Sequence, residues 1–205
     1  MSKNEFMIIG LTGQSGAGKS TVTKVFEDYG VKAVDADALA HIALKTEKCK
    51  ENLRVAFGDS IFDENGEVIR KSLAKAAFAT KESTELLNKC THPVIIELSE
   101  EAFEKAEEEG FNAVVFDAPT LFESGLHGMC SFVISVIADK EVRAQRIMQR
   151  DNLSFEDAML RLNAQYPDSF YTEKSRYLIE NNGTVEELEE KAENLCKELF
   201  NEYKT

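Results

Sequence analysis

The sequence predicts an α/β domain built on a parallel, doubly wound sheet. Two observations carry that expectation: five short runs rich in apolar and β-branched residues, and helical patterns placed between them. The first run, Phe6 to Thr12, is apolar without alternation, as in a strand buried on both faces. A helix is predicted over Lys19 to Asp28, and a second strand over Val31 to Asp37. From Ala38 to Gly110 the pattern is helical, far longer than a simple crossover, which predicts an inserted helical region at about residues 60–100. Asp59 to Gly66, with Asp63-Glu64-Asn65-Gly66, reads as a turn-rich link inside it, and Ser99 to Glu109 as a helix. The third and fourth strands are predicted at Ala113 to Ala118 and Phe132 to Ala138. A helix over Lys140 to Arg150 and a fifth strand at Tyr177 to Glu180 follow. The last helix runs from Thr184 to Tyr203, where Thr184 and Glu187 form a capping-box pattern. Ligands of such sheets bind beyond the carboxyl ends of the strands.

Composition narrows the class. The 205 residues suit a single catalytic domain, and 43% hydrophobic with 30% charged residues is that of an ordinary globular protein. There is no apolar run of the roughly 20 residues needed to span a bilayer. The N-terminal residues lack the pattern of a secretory signal, so a cytoplasmic protein is expected. Cys49, Cys90, Cys130 and Cys196 are scattered without metal-ligand spacing, which favours reduced structural thiols. A net charge of −13 argues against a sequence-independent nucleic-acid binder. It also requires that any binding site for an anion gather its positive charge locally.

The sharpest motif is Gly13-Gln14-Ser15-Gly16-Ala17-Gly18-Lys19-Ser20, a complete G-x-x-x-x-G-K-[ST] pattern between a predicted strand and a predicted helix. Glycines at Gly13, Gly16 and Gly18 let backbone N–H groups wrap a phosphate, and the helix beginning at Lys19, Ser20 and Thr21 offers its positive end. Lys19 is expected to reach the β- and γ-phosphates of ATP, and the Ser20 hydroxyl to bind Mg²⁺.

Carboxylates end two strands. Alternation places Asp35 and Asp37 on one side of the second strand; Asp35 either caps the next helix or assists, and Asp37 is the predicted base for an attacking hydroxyl. Asp117, after the third strand, is either a contact to Mg²⁺ through water or a plain loop carboxylate. Arg143, Arg146 and Arg150 share a helical face; Arg143 is expected on a solvated surface, and Arg146 and Arg150 in a lid over the triphosphate, at about residues 141–165. His92 reads as a packed histidine, and His41 and His127 carry no motif.

Taken together, these motifs resemble bacterial dephospho-coenzyme A kinase. The likeness rests on Gly10-Leu11-Thr12-Gly13 leading into the phosphate loop, Asp35-Ala36-Asp37, Thr91-His92-Pro93, Asp117-Ala118-Pro119-Thr120-Leu121-Phe122-Glu123, Gln145 to Asp151, and Asn181-Asn182-Gly183-Thr184. The resemblance implies a five-stranded parallel sheet of order 2-3-1-4-5 with a helical insertion and a lid. It implies phosphoryl transfer from ATP to the ribose 3′-hydroxyl of dephospho-coenzyme A, with Asp37 as base and Lys19 and Arg146 serving the transfer. His92, Pro93 and Leu121 would belong to the acceptor site, Arg146 and Arg150 to the lid, and the segment Asn181 to Gly183, with Asn182 and Gly183, would lie near the adenine of ATP. Small-molecule substrates are the partners expected, with no nucleic acid or membrane, in a monomer or small homo-oligomer. The sequence departs from the family at Gln14-Ser15, where Gly-Ile is usual, at Thr120, and over Gln165 to Tyr171, where a basic residue usually stands at position 171.

Two other readings share the phosphate loop. A kinase for a nucleoside monophosphate or small alcohol would lack the Thr91-His92-Pro93 and Asn181-Asn182-Gly183 segments, and a guanine-nucleotide switch would carry an N-K-x-D signal that is absent here.

Overall fold

The computed structural model describes residues 6–201. Its sheet has five strands: β1 (Met7–Gly13), β2 (Lys32–Asp35), β3 (Ala113–Asp117), β4 (Phe132–Ile137) and β5 (Tyr177–Glu180). Their order is β2-β3-β1-β4-β5, as the resemblance implied, and β3, β1, β4 and β5 pair in parallel. Leu11 of β1 lies opposite Asp117, and Gly13 opposite Val136. This register brings Asp117 and the start of the phosphate loop out at the same edge of the sheet.

The chain divides into two compact units. The first holds the described residues up to Val34 and from Ala106 onward; the second is Asp35–Lys105. In the first unit, α1 (Lys19–Asp28) and α9 (Val185–Asn201) bury Val22, Phe26, Leu188 and Ala192 against Ile9, Leu11, Val115, Ile134 and Val136 of the sheet. Burial of this apolar face, at roughly 25 cal/mol per Å², drives the packing. Thr184 and Glu187 form the reciprocal capping box: the Thr184 N–H donates to Glu187 Oε2 at 3.1 Å and the Glu187 N–H to Thr184 Oγ1 at 3.3 Å. Tyr203, the expected end of this helix, lies outside the described residues. Between β4 and β5 stand α6 (Lys140–Asp151), α7 (Phe155–Asn163) and α8 (Asp168–Thr172). A small core of Ala144, Ile147, Ala158 and Leu162 joins α6 to α7.

The second unit is helical, with α2 (Ala36–Ala43), α3 (Glu47–Phe57), α4 (Arg70–Ala77) and most of α5 (Lys81–Glu108). Two expectations are corrected here. The second strand stops at Asp35, because the Asp35 carboxylate accepts from the N–H groups of Asp37 at 2.8 Å and Ala38 at 3.1 Å and so starts a helix. Asp37 therefore lies in the first turn of α2, not on a strand, and alternation does not relate it to Asp35. The helix expected from Ser99 begins instead at Lys81, with Pro93 inside it. The missing N–H of Pro93 leaves one rung of the helix open, a local cost that packing of Cys90, Val94 and Ile95 offsets. All four cysteines are free, and no helix among the described residues is long and apolar enough to cross a membrane.

Candidate active site

The phosphate loop joins β1 to α1, and two of its glycines are required by space. A Cβ on Gly13 (φ +154°) would stand 2.3 Å from the carbonyl oxygen of Val136. One on Gly18 (φ +101°) would stand 2.5 Å from Asn181 Nδ2 and 2.8 Å from Leu188 Cδ2. Ala17 is fully buried and closes a turn through its N–H to the Gln14 carbonyl at 3.1 Å. Lys19, Ser20 and Thr21 form the first turn of α1, which has no acidic residue at its start, so its positive end is left for an anion. Ser20 is exposed, and its hydroxyl is open to a ligand at this edge.

Lys19 and Asp117 form an ion pair in which Nζ meets Oδ1. The other oxygen, Oδ2, accepts from Thr23 Oγ1 at 2.9 Å. Thr23 lies one helical turn after Lys19 and so shares its face of α1. Sequence reasoning passed over Thr23, although its spacing from Lys19 was visible.

The loop is also held from its other side. Arg146, expected to reach over the triphosphate, instead donates to the carbonyls of Asn181 (3.0 Å), Gly183 (3.0 Å) and Gly16 (3.4 Å), and to Asn181 Oδ1 (3.2 Å). Asn181, 5% exposed, donates from Nδ2 to the Ala17 carbonyl at 2.7 Å. Asn182 accepts the Asp139 N–H on Oδ1 at 2.7 Å. The segment 181–183 is thereby brought to the phosphate loop, and Asn181 is its anchor.

Arg143 is the clearest correction on this helix. It is 5% exposed, not solvated, and donates to the Ala138 carbonyl at 2.8 Å and to Gln165 Oε1 at 3.0 Å. Burial lowers its pKa, and Asp168 opposes that shift. Gln165 Oε1 also accepts the Ser15 N–H at 3.3 Å, and Gln14 Nε2 donates to Asp168 at 2.5 Å. The unusual Gln14-Ser15 pair is thus fastened to the segment that follows α7. Arg150 pairs with Asp151 at 2.7 and 2.9 Å, and Arg161 pairs with the same carboxylate at 2.6 Å. These bonds hold the Asp151 carboxyl down to about pKa 2. Arg150 is accordingly joined to the α6–α7 turn and, unlike Arg146, has no bond to the phosphate loop.

A family model described as dephospho-CoA kinase matches residues 7–187. The dephospho-CoA kinase of Fusobacterium nucleatum is 37% identical over 193 residues, covering 94% of this chain and 98% of that protein. Among solved structures, TT1252 from Thermus thermophilus superposes with a TM-score of 0.79 at 32% identity, covering 95% of this chain and 98% of that one. Dephospho-CoA kinase from Campylobacter jejuni gives a TM-score of 0.60 at 26% identity, covering 93% and 96%.

The chain belongs to the dephospho-CoA kinase family.

Within a dephospho-CoA kinase, the residues expected on the acceptor side fall into both units. Asp37 is exposed at the start of α2. His92 and Pro93 stand side by side in α5, and burial lowers the pKa of His92. Leu121, expected to touch the acceptor, is fully buried in the first unit; a Cβ on Gly10 would stand 2.7 Å from its Cδ2. Its side chain packs against β1 and presents no surface to a ligand. The Thr12 hydroxyl donates to the Pro119 carbonyl at 3.1 Å, which fixes the start of the same segment.

Proposed function

We propose that this chain transfers the γ-phosphoryl group of ATP to the ribose 3′-hydroxyl of dephospho-coenzyme A, the last step of coenzyme A synthesis. The single observation that carries the reading is the phosphate loop with Lys19 held at Asp117, set at the carboxyl edge of a sheet with this family's strand order. In this reading the loop amides and the N-terminus of α1 bind the β- and γ-phosphates. Lys19 leaves Asp117 to neutralise charge on the transferring group. Asp37 accepts the proton of the ribose hydroxyl as the oxygen attacks phosphorus and ADP leaves. Arg146 keeps the phosphate loop and the 181–183 segment together, so that Asn182 and Gly183 border the adenine of ATP. Arg150 works from the α6–α7 lid.

Ser20 and Asp117 suit Mg²⁺, since both offer hard oxygen atoms at the same edge and Asp117 carries the charge. They would hold the ion together with phosphate oxygens, and when bound it would supply charge neutralisation between the β- and γ-phosphates. The helical unit, with Asp37, His92 and Pro93, serves the acceptor, and the whole chain acts as one kinase domain. A cytoplasmic monomer or small homo-oligomer completes the proposal.

The test offers purified protein Mg·ATP with dephospho-coenzyme A, AMP or shikimate and weighs the products. Phosphate is expected on dephospho-coenzyme A alone. Transfer to AMP or shikimate at a comparable rate would move the chain to another acceptor class.

A further inference from the structure

Beside the phosphate loop lies an aromatic stack that the reaction as described does not use. The rings of Tyr166 and Phe170 are parallel, with centroids 4.0 Å apart and planes at 14°. Phe122 meets Phe170 edge-on at 5.8 Å. Lys174 Nζ stands 4.0 Å from the Phe170 centroid, and since Tyr166 fills one face of that ring, the ammonium must take the other. The stack is therefore fixed from below and from the side, yet Tyr166 remains 48% exposed. A rigid aromatic ring with one bare face is an organised surface for a planar ligand, because little side-chain freedom remains to be lost on binding.

Its position is set by its neighbours in sequence. Gln165 accepts the Ser15 N–H, and Asp168 accepts from Gln14, so Tyr166 is held between two residues fastened to the first half of the phosphate loop. The segment assigned above to the adenine of ATP is tied to a different part of that loop, at Gly16 and Ala17. Two planar groups thus have separate places. The acceptor hydroxyl belongs to a ribose whose next carbon but one carries the purine, so that purine must lie within about one sugar ring of the phosphoryl group.

We propose that the exposed face of Tyr166 is the stacking platform for the purine of the acceptor nucleotide. The proposal rests on the acceptor reading given above and adds a specificity-determining residue to it. Stacking on an aromatic side chain favours any purine, and it discriminates against acceptors without a base.

The chain contains no tryptophan, so Tyr166→Trp supplies a lone indole reporter that keeps a ring at this position. Dephospho-coenzyme A is expected to quench its fluorescence, while 4′-phosphopantetheine, which lacks the base, and a non-hydrolysable Mg·ATP analogue are not. In steady-state assays Tyr166→Ala should raise the KM for dephospho-coenzyme A about tenfold or more and leave the KM for ATP unchanged, with Tyr166→Phe restoring the wild-type value. An unaltered acceptor KM in Tyr166→Ala, or equal quenching by the ATP analogue, would overturn the platform while leaving the activity standing. A wild-type protein that does not phosphorylate dephospho-coenzyme A would overturn both.

Discussion

The amide group of Asn181 joins the phosphate loop to helix α6, far apart in sequence: Nδ2 donates to the Ala17 carbonyl at 2.7 Å while Oδ1 accepts from Arg146 at 3.2 Å. Asn181 is buried, so loss of its hydrogen bonds leaves an orphaned carbonyl and an orphaned guanidinium N–H. Asn181→Leu keeps the branched shape and removes both bonds. It should cost about 1–3 kcal/mol of stability, read from urea unfolding, and raise the KM for ATP.

Lys19, Asp117 and Thr23 form a second connected group. Lys19→Met should reduce turnover by about 10²-fold or more, because in the proposed reaction the Lys19 ammonium neutralises charge on the transferring group. Asp117→Asn should shift the Mg²⁺ concentration for half-maximal rate upward, and Thr23→Val should do so less. A magnesium titration of the three variants checks the order.

Gly18 has a left-handed backbone conformation and no room for a Cβ. Gly18→Ala should lose at least about 1–3 kcal/mol from backbone strain alone, seen as a lowered melting temperature, together with weaker ATP binding by calorimetry. The contrasting Gly30→Ala, where nothing lies within 4 Å, should show the backbone cost without the loss of nucleotide binding.

How far the sequence could be read follows from what each residue depends on. The five strands and the phosphate loop were legible because apolar runs and glycine spacing are local signals, and each strand boundary except the end of β2 falls within one residue of expectation. The end of β2 was misplaced because Val34 to Asp37 fits a strand by alternation while Asp35 fits a helix cap, and the cap prevailed. Arg143, Arg146 and Arg150 look alike as a row on one helix. Their fates differ because Ala138, Gln165 and Gly183 reach Arg143 and Arg146 from other parts of the fold, while Arg150 pairs with its neighbour Asp151. The stretch before Ser99 reads as helical in pattern, but its joining into one helix from Lys81 across Pro93 depends on tertiary packing that the sequence does not show.

The Arg150–Asp151–Arg161 link fixes a pH dependence. The Asp151 pKa is lowered from 3.8 to about 2, chiefly by its hydrogen bonds to Arg150. A depressed carboxyl stabilises the folded state fully above its unfolded pKa, and that contribution is lost as pH falls through about 2. Carboxyl NMR should place the Asp151 midpoint near that value, and Asp151→Asn should remove its part of the acid-unfolding slope.

In the proposed reaction the Asp37 carboxylate takes the proton of the ribose 3′-hydroxyl as it receives the phosphoryl group. The most direct measurement compares wild type and Asp37→Asn in single-turnover transfer from Mg·ATP to dephospho-coenzyme A, with ATP affinity measured in parallel. The expected result is phosphate on the 3′-hydroxyl, a rate lowered about 10²–10⁴-fold in the variant, and unchanged ATP affinity. Transfer by Asp37→Asn at the wild-type rate, or a phosphate found elsewhere on the product, would contradict it.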